Sequence, residues 1–325
     1  MQKGKMNSKY KKIDLNKIKT ISILERKSKV NIGDFSKIFD PDASFNNFIS
    51  SLPNILISKD LKDFATKFAL AVKNKKVVSL MMGAHLIKVG LSPLIIDLIK
   101  NNMISSISMN GACVIHDVEL AIWGKTSEDV SENLMNGTFG MSKETAQFIN
   151  NTLKENFDSD CGYGESIGKK LININPLYKD YSILYNAYNY SIPVTVHVGI
   201  GTDIIYQHPN MDGASAGELS YRDFKILCNV LSNLDSEGII INIGSAVILP
   251  EVFLKALTVV RNLGYSAYNF TSATFDMFQQ YRPRVNIVQR PTMNNGKGYY
   301  FIGHHELMIP LLIAMVKNYL RVNNG

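Results

Sequence analysis

The feature that most constrains the fold of this 325-residue chain is a recurring order: a short apolar run, a strand-end turn, then an amphipathic helix. "KVVSLMM" reads as a buried strand, and "GLSPLIIDLIKNN" as a helix opened by Ser92 at the N-cap and Pro93 at N1. "ISSISM" is the next strand and turns at once into the helix "NGACVIHDVELAIW". "TSEDV", with Thr126 and Asp129 in capping-box positions, starts another helix. "IPVTVHVGIG" and "GIIINIGSAV" are strands ending in glycine, followed by the helices "YRDFKILCNVLSNL" and "PEVFLKALTVVRNL". Short strands are expected at "YSAYNFT" and "VNIVQ", before a closing helix. One amphipathic helix precedes the series, with Leu61, Phe64, Phe68 and Val72 on one stripe. Strand and helix in alternation predict an α/β fold: a mostly parallel, doubly wound sheet with helices on both faces.

Charge is distributed unevenly. Residues 1–40 carry eleven basic and four acidic side chains, a net +7, whereas the remainder holds 24 of each sign. The division predicted is a basic N-terminal arm over residues 1–50 and a single α/β domain over residues 51–325. With a neutral body, no basic face is available for a phosphate backbone, so nucleic acid is not an expected partner. The longest apolar run, Leu307 to Val316, is broken by Pro310 and is about half the roughly 20 residues of a membrane span. No apolar signal segment is visible in the lysine-rich N-terminus. Three scattered cysteines, Cys113, Cys161 and Cys228, fit a reducing compartment. The expectation is a cytoplasmic protein that does not engage a membrane.

In parallel sheets, ligands bind beyond the C-terminal ends of the strands. Three such ends carry small residues before a helix: Asn110-Gly111-Ala112, Gly199-Ile200-Gly201 and Gly244-Ser245-Ala246. Free backbone N–H groups there suit an anionic ligand. A complete dinucleotide fingerprint is absent, because Ile204 stands where a third glycine belongs. The segment "NNGKGYYFIGHHELMIP" is no phosphate loop either, since Pro291 replaces the leading glycine and Gly298 the hydroxyl residue. Its adjacent His304 and His305 point apart, and neither HExxH nor CxxC occurs, so no metal is expected. Lys297, between two glycines, reads as a surface-turn lysine or as a nucleophile; the second requires a site that disfavours the ammonium form.

Residues 83–140 resemble the deoxyhypusine synthase family, in particular its bacterial branch. "IPVTVHVGIGTD", "NIGSAVILPEVFLKALT", "TFDMFQQYRPRVN" and "GHHELMIPLL" are similar to later blocks of that family in the same order, so the resemblance runs from about Val77 to Leu320. It implies a Rossmann-like fold, NAD as cofactor, and a homotetramer with sites shared between subunits. It also implies chemistry: a polyamine is oxidised to an imine, a lysine captures the aminobutyl unit, and an acceptor amine receives it. The acceptor is open and includes small amines, as in homospermidine formation; a non-catalytic NAD or nucleotide sensor on the same fold is the rival reading. By similarity the lysine is Lys297, and the cofactor residues fall on Asn110, Gly111, Gly201, Asp203, Gly244, Ser245, Asp276, His304 and His305. His116, Asp117 and Glu251 are the candidates for holding substrate. Where the family has a tryptophan before its Gly-Lys pair, this chain has Asn295. A polyamine-holding carboxylate of the family falls near Val285 or Asn286, so the polyamine would need other acids.

Overall fold

The computed structural model describes residues 8–235 and 237–322. Residues 8–44 are largely exposed chain with two 3-10 turns, and the first seven residues of the expected arm lie outside the described ones. α1 (Phe45–Ser51) docks on the C-terminal helix through Asn46, whose Oδ1 accepts from Asn318 Nδ2 at 3.1 Å. α2 (Leu56–Lys73) buries the expected stripe, Leu61, Phe64 and Phe68.

Six strands follow: β1 (Val78–Met82), β2 (Ser106–Asn110), β3 (Val194–His197), β4 (Ile239–Ile243), β5 (Thr271–Asp276) and β6 (Lys297–Ile302). All pairings are parallel, and the order is β3-β2-β1-β4-β5-β6. Chain direction across the sheet therefore reverses at β1, and the crevice between the C-terminal ends of β1 and β4 is the topological switch point. α3 (His85–Lys88) and α4 (Ser92–Lys100) join β1 to β2. α5 (Gly111–Trp123), α6 (Val130–Met135), α7 (Lys143–Glu155), α8 (Tyr163–Ile174) and α9 (Ile183–Asn189) lead to β3. α10 (Gly213–Ser232) returns to β4, and α11 (Ile248–Asn262) leads to β5. α12 (Tyr281–Pro283) runs into a π-helical turn, Arg284–Gln289, before β6, and α13 (His305–Val322) closes the chain.

Alternation along each strand separates two faces. One is apolar: Leu80, Met82, Ile107, Val196, Ile241 and Phe275 join α2, α4, α5, α9 and α13 in the larger core. The other mixes Met81 and Ile240, under α10 and α11, with buried hydroxyl pairs. Ser106 Oγ donates to Ser79 Oγ at 2.8 Å, and Ser108 pairs with Thr195 at the same distance. No described helix is long and apolar enough to cross a membrane.

Local corrections to the sequence reading are few. "VNIVQ" is the π-helical turn, "YSAYNFT" mostly precedes β5, and the Gly-Lys-Gly segment itself opens β6. Ser92 is the first helical residue of α4, with Leu91 at the cap. α6 is capped by Asp129, which accepts from Glu132 N at 3.1 Å, and not by Thr126.

Candidate functional site at the strand ends

Most of the expected cofactor residues meet at the C-terminal edge of the sheet. Gly83 follows β1, and a Cβ there would lie 2.3 Å from the carbonyl oxygen of Gly244, backbone against backbone. Gly244, after β4, has φ +68°, and a Cβ on it would meet His305 Cε1 at 2.9 Å. Only glycine permits this approach of the two strand ends. Ser245 is buried, and its Oγ accepts from Leu249 N at 3.3 Å at the start of α11.

His305 opens α13 and is buried against His85, ring centroids 5.3 Å apart. Its Nε2 lies 3.2 Å from the Phe275 carbonyl and donates to it, because a carbonyl can only accept. Burial pushes its pKa down, so the ring is held neutral and Nδ1 is left as an acceptor with no partner. Asp276 ends β5, is 6% exposed, and also has a buried oxygen, Oδ2, without a partner.

A second group lies at the ends of β2 and β3. Asn110 caps α5, accepting from Cys113 N at 3.2 Å. Gly111 has no side chain because Asp203 occupies that space: a Cβ would lie 2.2 Å from Asp203 Oδ2. This oxygen is buried, and burial raises the Asp203 pKa to about 6 even though the neighbouring Tyr206 hydroxyl works to lower it. Gly201, φ +88°, forms the preceding turn and borders open space. Next to Asp203 is a cavity of about 190 Å³, lined also by Lys88, Ile115, His116, Glu119 and Glu128.

Four expected residues stand elsewhere. Asp117 points into the core, where Ser182 Oγ (2.6 Å), Ile183 N (2.6 Å) and Leu184 N (3.1 Å) all donate to its carboxylate. It ties α5 to the start of α9 and is closed to a substrate; burial raises its pKa to about 6 despite those donors. Glu251 pairs with Lys255 and Arg282 on the outer surface of α11 and accepts from Asn286 Nδ2 at 3.0 Å. His304 is exposed beside Glu306. Lys297 lies at the opposite edge. It pairs in register with Thr271, the first residue of β5, while Asp276 pairs with Ile302. Five residues of strand, about 16 Å, separate it from the switch-point edge. Its amine pairs with Asp63 at 2.5 Å, and its side chain is 52% exposed. Within one chain, Lys297 and the cofactor residues do not meet.

Sequence reasoning missed Gly83 and His85. Gly83 follows a buried strand just as Gly244 does, so the same signal was present; the contact of His85 with His305 is long-range and had none.

No protein-family model and no curated protein matches the chain. Solved structures do. AgrE in complex with ornithine and NAD+ is similar at 10% identity and a TM-score of 0.51, over 82% of this chain and 33% of that one. A LOR/SDH protein from Methanococcus maripaludis S2 is similar at 13% identity and a TM-score of 0.51, over 80% and 69% of the respective chains. A structure described as a deoxyhypusine synthase from Entamoeba histolytica is similar at 9% identity and a TM-score of 0.46, over 86% and 95%. This chain thus spans about a third of the length of AgrE. At these identities the likeness concerns the fold, an α/β Rossmann-like sheet.

Proposed function

We propose that the chain is an NAD-dependent enzyme whose cofactor lies across the β1–β4 switch point and whose substrate enters the cavity beside Asp203 and His116. What carries this reading is the pair of buried acceptors without partners beside the switch point, Asp276 Oδ2 and His305 Nδ1. Each costs on the order of 1–3 kcal/mol while unmet, and a ligand rich in hydroxyl and amide N–H donors relieves that cost. Ribose hydroxyls and a carboxamide fit Asp276 and His305 chemically. A pyrophosphate fits the glycine backbone beside the N-terminus of α11, where Ser245 Oγ already takes Leu249 N. NAD supplies hydride transfer, which side chains cannot perform. The chain's residues bind, orient and exclude water. AgrE, about a third of whose length resembles this chain in fold, forms a complex with NAD+ and ornithine, in keeping with a small amine as the substrate class.

The resemblance implies a finer reading, aminobutyl transfer from a polyamine through a lysine imine. That reading requires a primary amine beside the cofactor, and Lys297 reaches the cleft only as a residue of a neighbouring subunit in a homotetramer.

Calorimetry with NAD tests the site. Asp276→Asn is expected to weaken binding at least about tenfold, as loss of a hydrogen bond to a charged group does, with little change in the urea midpoint. Equal affinity in both proteins removes the switch point as the cofactor site. Borohydride trapping with labelled polyamine and NAD tests the transfer, and an adduct that persists in Lys297→Ala eliminates Lys297 as the carrier.

A further inference from the structure

His116 sits on α5 facing the loop that leads to α6. Its Nδ1 lies 2.6 Å from Thr126 Oγ1, and the Thr126 hydroxyl donates to Glu119 Oε2. The second Glu119 oxygen accepts from Thr145 Oγ1 at 3.0 Å. Proton positions follow from what each group can do. A carboxylate only accepts, so the single Thr126 proton goes to Glu119, and Thr126 must accept from the imidazole. Nδ1 therefore carries the ring proton, and Nε2 keeps its lone pair.

We propose that Glu119, Thr126 and His116 form a relay that makes His116 Nε2 the proton acceptor for a substrate hydroxyl or ammonium in the 190 Å³ cavity. The nature of that substrate rests on the function proposed above; the relay is a property of the chain alone. In the step, the substrate O–H or N–H bond breaks, its electron pair stays on oxygen or nitrogen, and the proton bonds to Nε2. The resulting imidazolium keeps Nδ1–H on Thr126 with Glu119 Oε2 3.9 Å from Nδ1; burial and Lys88 outweigh that carboxylate, so the charged ring is transient and passes its proton on. The charged groups around the ring come from four segments: Lys88 of α3, Glu119 of α5, Glu128 of the following loop and Asp203 after β3. Burial, with Lys88 in second place, holds the His116 pKa down at about 4, so the free base predominates at pH 7. His116 is the catalytic residue here; Thr126 and Glu119 position it.

Nitrogen NMR of the 15N-labelled full chain, with the His116 signals assigned by His116→Gln, reads the tautomer directly. At pH 7 the expected pattern is a protonated Nδ1 and an unprotonated Nε2. Thr126→Val is expected to abolish that preference and Thr126→Ser to keep it. A ring bearing its proton on Nε2, or on both nitrogens, overturns the proposal, as does an unchanged tautomer in Thr126→Val. In the NAD-loaded enzyme, Thr126→Val should lower kcat by about 10²-fold or more with KM little changed, and Thr126→Ser should restore it. NAD affinity should be the same in all three proteins. Failure of the wild type to bind NAD would sink the proposed function and leave the tautomer result standing.

Discussion

The two ends of β5 meet different demands. At its C-terminal end, Asp276 is buried with one oxygen unmatched, and His305, which donates to the Phe275 carbonyl, keeps an unmatched acceptor. At its N-terminal end, beside Lys297, the Asp63 carboxylate receives both the Lys297 amine and the Tyr299 hydroxyl. Titration separates Asp63 from Asp203, which follows β3 on the same C-terminal edge of the sheet. Burial raises Asp203 to about 6. Burial also pushes Asp63 upward, but the hydrogen bonds from Lys297 and Tyr299 outweigh it, and its pKa falls. An edge whose charges are matched within the chain is finished structure. An edge with buried, unmatched acceptors keeps hydrogen-bonding capacity that a ligand or water can take up.

The harshest way to break this contrast is Gly83→Ala. The new methyl would sit 2.3 Å from the Gly244 carbonyl oxygen, so β1 and β4 must separate. The expected loss is about 3 kcal/mol, as for overpacking elsewhere, together with loss of NAD binding. Urea midpoints measure it, and a loss below about 0.5 kcal/mol would mean the two strand ends do not meet as described. Next in size is a difference in pH response. The folded pKa of Asp203, about 6, lies above that of the unfolded carboxylate, so its contribution is full below about pH 4 and is lost as pH rises through 6. A shift of this size amounts to at most about 3 kcal/mol. Asp63 behaves in reverse, contributing above about pH 4 and losing that contribution as pH falls, because its folded pKa is lowered. In urea midpoints taken from about pH 2 to 7, Asp203→Asn should reduce the first trend and Asp63→Asn the second, which falls below about pH 4. If Asp203→Asn leaves the decline above pH 4 unaltered, Asp203 is not the source; Asp117, also near 6, and Asp223, raised to about 8, are then the candidates among the described residues.

How much of this was legible in the sequence depended on range. Alternation located β1 to β4 and their helices, because each is a buried run of period two or a stripe of period 3.6. It failed where tertiary contacts overrode local preference. "VNIVQ" is β-branched, yet it forms a π-helical turn, whereas "KGYYFI" becomes an edge strand whose Tyr299 and Phe301 are buried on alternate residues. The glycines at the strand ends were readable, since a strand-to-helix turn at a sheet edge favours them. The contacts of Gly111 with Asp203 and of Gly244 with His305 join segments far apart in the chain, and no local pattern encodes them. Asp117 was misread although its position was informative: it shares the buried stripe of α5 with Val114, Val118 and Ala121. Thr126 matched a capping motif by spacing, but its hydroxyl is engaged by Glu119.

The smallest expected effect carries the sharpest distinction. Lys297→Ala removes an exposed ion pair and a cation 4.9 Å above the Tyr299 ring, and should cost about 1 kcal/mol or less. NAD affinity should stay within about twofold of wild type, because the amine is at the far edge of the sheet. If Lys297→Ala nevertheless abolishes aminoalkyl transfer, the lysine must act in a neighbouring subunit's cleft. Mixing subunits decides between the alternatives. Lys297→Ala, inactive in this case, and Asp276→Asn, assayed at NAD well below saturation where its turnover is about a tenth or less of wild type, would form hybrid pairs in which one shared site has both native residues. Random exchange should then recover about a quarter of wild-type activity, since half the pairs are hybrid and one site of two is intact in each. No recovery from demonstrably mixed subunits confines the chemistry to a single chain, where Lys297 cannot reach it.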